Sequence, residues 1–92
     1  MMLFKEIASY KNTKSKKLKI GDIYYWYVIK SFKTIYNYNL ISAYCYDIIG
    51  EAVILLLFVK IKEIWFMKPI PDENLLIDEI KKLPFQILMD IE

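Results

Sequence analysis

One continuous apolar run limits how this chain can fold. Eight consecutive apolar residues, Ala52 to Val59, follow the turn-like segment 47–51. A run of this length is typical of a strand that is covered on both faces, although periodicity alone does not separate it from a buried helix. From Val59 to Lys62 apolar residues alternate with lysines, as they do when a strand leaves the core. The run therefore predicts a central strand.

Two segments upstream also have the features of strands. Ile23 to Ile29 consists of aromatic and β-branched residues and follows the turn signal Gly21-Asp22. From Thr34 to Ile41 two sets of residues alternate with period two. Together with the apolar run, these patterns predict antiparallel strands near residues 20–31, 34–46 and 52–67.

The C-terminal part of the sequence predicts a helix near residues 73–83. Pro69 and Pro71 are expected to stop the preceding strand. Asp72 suits the N-cap position, and Pro84 terminates the helix. An apolar stripe at positions i, i+4 and i+7 would face the sheet. Its residues are Leu76, Ile80 and Leu83.

These elements predict an α+β domain over residues 20–92. An antiparallel sheet of about three strands would be covered on one face by the C-terminal helix. Residues 1–19 form a separate basic arm in this prediction, because they carry a net charge of five positive units against three negative units on the remainder.

The chain carries more apolar surface than a small core needs. Its apolar fraction is 57%, whereas ordinary soluble domains have about 45–50%. Large aromatic residues are enriched at the centres of protein interfaces. We therefore predict that an apolar-aromatic sheet face binds a protein partner, as a homo-oligomer, an accessory subunit or an inhibitor. The partner-binding candidates are Tyr24, Trp26, Tyr36, Tyr38 and Trp65.

The composition argues against catalysis. The sequence has no histidine and no arginine, so it offers no histidine triad, no histidine-ligated metal and no arginine clamp. Its two glycines form no phosphate-binding loop, and no zinc or calcium motif occurs. We predict a non-catalytic protein without catalytic residues, metal ligands or cofactor.

A membrane-embedded subunit is the first alternative. Residues 40–59 have the length of a membrane-spanning helix. Asp47 and Glu51 interrupt this stretch and would share one helix face, directed at a partner or a proton path. The same two residues also suit a solvated turn between two strands.

A ribosome- or RNA-associated protein is the second alternative. Closely spaced lysines neutralise phosphates without regard to sequence, and an anionic membrane surface would attract the same arm. The anion-contact candidates are Lys11, Lys14, Lys16, Lys17 and Lys19.

The single cysteine and the amino-acid composition indicate a cellular compartment and a type of genome. Cys45 cannot form a disulfide within the chain, which favours an intracellular, reducing compartment and a buried thiol, with membrane association as the alternative. Abundant Ile, Lys, Tyr, Phe and Asn indicate an AT-rich genome, such as a virus, an organelle or an AT-biased microbe. Mutational bias is then a second explanation for the lysines and tyrosines.

Overall fold

An antiparallel sheet organises the part of the chain that this computed structural model describes, residues 5–6 and 17–83. Its strands are β1 (Lys5–Glu6), β2 (Ile23–Tyr24), β3 (Tyr27–Asn37), β4 (Leu40–Asp47), β5 (Ala52–Ile61) and β6 (Ile64–Ile70). Their order across the sheet is β1-β6-β5-β4-β3-β2. A 3-10 turn (Glu73–Leu75) then leads into the helix α1 (Leu76–Lys81). The α+β prediction is confirmed, but the sheet has more strands than the predicted three.

The predicted strand at 52–67 is two strands joined by a tight turn. Lys62 and Glu63 form the two-residue loop between β5 and β6, with φ angles of 51° and 68°. Such left-handed angles at both loop positions match the twist of a hairpin, but Asn or Gly normally occupies them. Because neither residue has that signature, the lysine alternation suggested one continuous strand.

The predicted break near residues 32–33 is also displaced. β3 continues to Asn37, and the hairpin loop to β4 consists of Tyr38 and Asn39. The Asn37 side chain accepts a hydrogen bond from the Asn39 backbone N–H at 2.8 Å. This side-chain turn sets the end of β3, because it satisfies a backbone donor that the ladder no longer pairs.

The apolar run Ala52 to Val59 lies in a central strand, as predicted. β5 pairs with β4 on one side and with β6 on the other. Leu55, Leu57 and Val59 pack on one face of the sheet, and Leu56 and Phe58 pack on the opposite face. Both faces of β5 are therefore buried from Leu55 to Val59, which is why this stretch shows no alternation of polar and apolar residues.

The helix covers one face of the sheet. Leu76 and Leu83 are buried there and Ile80 packs beside them, as the apolar stripe predicts. Asp72 is the N-cap and accepts from the Asn74 backbone N–H at 3.0 Å. We call this set the helix-side cluster: Leu40, Leu55, Leu57, Val59, Ile70, Leu76 and Leu83.

The prediction that Pro69 stops the strand is wrong. Pro69 pairs with Leu56 inside β6, which continues to Ile70. β1 accompanies β6 only opposite Phe66 and Met67, so no described strand flanks the outer side of β6 at the proline. A residue without a backbone N–H is tolerated at such an edge position.

The second core cluster lies on the face opposite the helix. Leu18 and Tyr24, which precede β3, are buried against this face. β1 at residues 5–6 pairs with β6, and Leu18 packs against the sheet. We call this set the Trp65-side cluster: Leu18, Tyr24, Ile29, Ile41, Ala43, Cys45, Leu56, Phe58, Trp65 and Met67.

The alternative of a spanning helix at residues 40–59 is wrong. This segment comprises β4, a turn and most of β5, which form one hairpin of the sheet. Within residues 5–6 and 17–83, no helix has both the length and the apolar character that a membrane crossing requires.

We expect Leu76→Ala to lower the free energy of unfolding by about 2–5 kcal/mol, because it leaves a cavity under α1. Leu76 is 3% exposed. Ile77→Ala, one residue further along the same helix, is the matched control because Ile77 is 53% exposed. We expect that change to stay within about 0.5 kcal/mol. Urea unfolding checks both values, and equal losses in the two variants would contradict the docking of α1.

Candidate functional site

The structure buries two of the five partner-binding candidates. Tyr24 is 1% exposed and Trp65 is 2% exposed, and both belong to the Trp65-side cluster. The Tyr24 hydroxyl donates to Asp22 Oδ2 at 3.0 Å. Burial, reinforced by this carboxylate, raises the pKa of Tyr24. These two aromatic side chains stabilise the core, and neither offers a large exposed area to a protein partner.

The other three candidates are accessible but do not form one surface. Trp26 lies in the loop before β3, with its ring against Tyr25 and Tyr27. Tyr36 and Tyr38 lie at the far end of β3, where Tyr38 is 87% exposed. The structure therefore separates these residues along the length of β3, and their role in binding a partner stays a prediction.

A row of apolar side chains crosses four adjacent strands on the helix-covered face. Ile23 pairs with Val28, Val28 pairs with Tyr46, and Tyr46 pairs with Val53. Directly opposite residues in antiparallel strands have neighbouring side chains on the same face. Ile23 and Val53 are 51% and 61% exposed, while Val28 and Tyr46 are half-buried. We call these four residues the strand row.

The strand row lies just beyond the area that α1 covers. Tyr46 is two residues from Tyr44, which packs against the helix-side cluster, and Val53 is two residues from Leu55, a member of that cluster. Residues two apart in a strand point to the same face, so Tyr46 and Val53 lie on the helix-covered face. β6 ends at Ile70, which pairs with Leu55. The sheet thus extends past both β6 and the helix, and its last row is uncovered by any described element.

The turn between β4 and β5 extends this apolar surface. Ile48 and Ile49 are 49% and 71% exposed. Asp47 Oδ1 accepts from the backbone N–H groups of Ile49 at 3.0 Å and Gly50 at 2.8 Å. The Ile48 N–H donates to the Trp26 carbonyl at 2.9 Å. These bonds fix the backbone of the turn, which follows Tyr46 and precedes Val53 in the chain.

Asp47 and Glu51 do not form the buried acidic pair of the membrane alternative. Asp47 stabilises the turn through the two backbone bonds, and Glu51 is exposed with a φ of 53°. A Cβ at position 50 would lie 2.7 Å from Asp47 Oδ2, so a larger residue there would displace the Asp47 carboxylate. The interpretation as a turn between two strands is confirmed.

A concave surface lies on the opposite face and at the opposite end of the sheet. It has a volume of about 400 Å³. We call it the hairpin groove, because the β3–β4 hairpin forms one wall. Lys60 extends over the Trp65 ring, with 5.4 Å from Nζ to the ring centroid. The apolar residues that line the groove are Leu18, Phe32, Ile35, Tyr38, Ile41 and Trp65, and its lysines are Lys17 and Lys60.

Only part of the predicted lysine arm lies within the described residues. Lys11, Lys14 and Lys16 lie outside them, whereas Lys17 and Lys19 are exposed. Lys17 lines the hairpin groove. The contact of this arm with nucleic acid or another polyanion stays a prediction.

Polar contacts attach the C-terminal segment to the sheet. Glu73 accepts from the Tyr44 hydroxyl and the Lys33 ammonium, both at 2.6 Å. Its hydrogen bond to Lys33 is the main cause that lowers the pKa of Glu73, and the same bond raises the pKa of Lys33. Lys68 and Glu79 form a second pair at 2.5 Å between β6 and α1. All these groups hold structural elements together.

No group of three potential metal ligands occurs in residues 5–6 and 17–83.

Comparisons with protein-family models, curated proteins and solved structures found no match to this chain. The strand row and the hairpin groove are therefore the two candidate sites in the described part of this chain. Sequence reasoning missed the strand row because its members become neighbours only through strand register, although the turn at 47–51 indicated that β4 and β5 pair.

Cys45 offers a test of the core around these surfaces. Its thiol is completely buried, and burial raises its pKa from 9.0 to about 12. We expect a thiol-specific reagent at pH 8 to modify Cys45 in urea-unfolded protein but not in folded protein. Comparable rates in the two states would contradict the buried position.

The raised pKa of Cys45 makes the free energy of unfolding depend on pH. Above pH 9 the unfolded thiol loses its proton while the folded thiol keeps it until about pH 12. The stability contributed by this group is therefore present below pH 9 and falls by up to about 1.4 kcal/mol per pH unit above it. Urea unfolding from pH 8 to 10.5 measures this slope. Cys45→Ala is the control and should give a shallower slope.

Proposed function

We propose that this chain is a non-catalytic binding protein that contacts a protein partner through the strand row and the adjacent turn. The observation that carries the proposal is a row of paired apolar residues on four neighbouring strands, in which Ile23 and Val53 are exposed and the other two are half-buried. Isolated apolar residues are normal on protein surfaces, but contiguous ones mark interaction sites. The partner would be a second copy of this chain or a protein to which it is an accessory subunit or inhibitor.

The composition of the surface supports this proposal. Val28, Val53 and the turn isoleucines provide an apolar centre, and Tyr46 adds a ring with a polar hydroxyl, a combination favoured in interfaces. Exposed Lys30 and Glu51 lie at its border. An apolar centre with a charged border is the usual arrangement of a protein interface.

The turn supports the proposal through its rigidity. Asp47 accepts hydrogen bonds from the backbone N–H groups of Ile49 and Gly50, which fixes the backbone of the turn. A preformed surface loses little conformational entropy when a partner binds. The two isoleucines would thus contribute apolar contact area at a small ordering cost.

Val53→Glu tests the proposal, because it places a charge at the most exposed residue of the strand row. We expect wild-type protein to form a dimer or larger oligomer in size-exclusion chromatography with light scattering, and Val53→Glu to remain a monomer. Ile77→Glu is the matched control: Ile77 is 53% exposed and Val53 is 61% exposed. That variant should associate like the wild type.

If the wild-type protein is a monomer, the proposed partner is a different protein, and a second assay tests for it. A tagged chain should then co-purify from its source cells with one protein that is also retained by Ile77→Glu and lost with Val53→Glu. Circular dichroism verifies that both variants fold. Unchanged association of folded Val53→Glu in both assays would refute the proposal.

A further inference from the structure

The hairpin groove has the construction of a small-molecule site. Its interior is formed by Leu18, Ile41 and Trp65, which are 3%, 9% and 2% exposed. Ile35 and Tyr38 stand at its rim and are 62% and 87% exposed. Ligand sites are typically clefts of about 300–1,000 Å³ with mostly apolar walls and a few polar groups, and this groove has about 400 Å³.

The charge of the groove indicates what kind of ligand it would take. Lys17 and Lys60 line it, and none of the described residues that line it is acidic. The Lys60 ammonium lies 5.4 Å from the centroid of the Trp65 ring, which places this cation beside the apolar wall. A ligand that fills the groove would therefore gain from an apolar body and a negative end.

The adjacent edge of β3 argues against an extended peptide as the occupant. β2 pairs with β3 only at Tyr27 and Val28, so the remainder of this edge has no described partner strand. Its pairing with β4 has register shifts at 29/31, 32/34 and 35/37. Bulges and lysines along an edge, here Lys30 and Lys33, hinder the addition of another strand.

We propose that the hairpin groove binds an amphiphilic carboxylate, an apolar chain with one carboxylate group, such as a medium-chain fatty acid. The chain lies against Phe32, Ile41 and Trp65, and the carboxylate is held by Lys17 and Lys60. The site is independent of the strand row, because it lies on the other face and at the other end of the sheet. It thus adds a ligand-binding activity to the proposed partner binding.

Trp65 reports directly on this site. The sequence has two tryptophans, so Trp26→Phe leaves Trp65 as the only one. In this background we expect decanoate to cause a saturable change in tryptophan fluorescence and one-to-one binding in calorimetry. Decanol and decyltrimethylammonium, which share the chain but lack the carboxylate, should bind at least about fivefold more weakly.

Charge variants assign the carboxylate contact. In Trp26→Phe protein, Lys17→Gln with Lys60→Gln should weaken decanoate binding about fivefold to tenfold and remove its preference over decanol. Lys30→Gln is the control, because Lys30 is exposed and does not line the groove. Ile35→Ser tests the apolar wall at a 62% exposed position where folding should tolerate it, and it should weaken all three probes.

Several outcomes would overturn the proposal. These are the absence of saturable decanoate binding to folded protein, equal affinity for the three probes, or equal effects of Lys30→Gln and the double lysine variant. An acidic, leucine-rich peptide that binds about tenfold more tightly than decanoate would assign the groove to a peptide instead. Circular dichroism verifies folding. Val53→Glu should leave decanoate binding unchanged, which keeps this test separate from that of the strand row.

Discussion

The burial of β5 on both of its faces is the constraint on which the rest of the structure depends. Leu55, Leu57 and Val59 need a covering layer on one side, and Leu56 and Phe58 need one on the other. An eight-residue apolar run cannot satisfy both requirements within a single two-stranded hairpin. β4 and β6 therefore flank it, the C-terminal helix covers one face, and Leu18 and Tyr24 cover the other.

The two covering layers differ in extent, and this difference creates the candidate surfaces. The helix α1 is only six residues long and is positioned by Leu76 and by the Lys68–Glu79 pair. The sheet beneath it continues to the strand row, where the apolar face has no described cover. On the other face, Leu18 closes one wall of the hairpin groove without filling it. Each surface thus arises where a covering element stops before the sheet does.

Short-range patterns in the sequence predicted the elements that depend on local chemistry. Asp72 and the spacing of Leu76, Ile80 and Leu83 located the helix, because capping and amphipathic periodicity act within a few residues. The central position of β5 followed from its continuous apolar composition. The turn at 47–51 was identified for a similar reason, since Asp47 and Gly50 carry ordinary turn chemistry. The β5–β6 turn was missed because Lys62 and Glu63 adopt left-handed φ angles, which glycine adopts far more readily. Neither residue type indicates a turn.

The burial of individual aromatic residues could not be predicted from the sequence. Tyr24 and Trp65 looked like surface residues in an excess of aromatics, but both are in the core, because β2 and β6 turn them toward the Trp65-side cluster. Ile23, one residue before Tyr24, points the other way and joins the strand row, since successive side chains alternate across a strand. A shift of one residue in register would exchange these roles.

By itself, then, the sequence determined the α+β class, the central apolar strand, the capped helix and the surplus of apolar side chains over core volume. Each of these follows from composition or from interactions between residues close together in the chain. Only the tertiary structure decided which apolar residues remain exposed and which of them are neighbours. That outcome depends on strand register and on where α1 and Leu18 stop covering the sheet, and both result from contacts between segments distant in sequence.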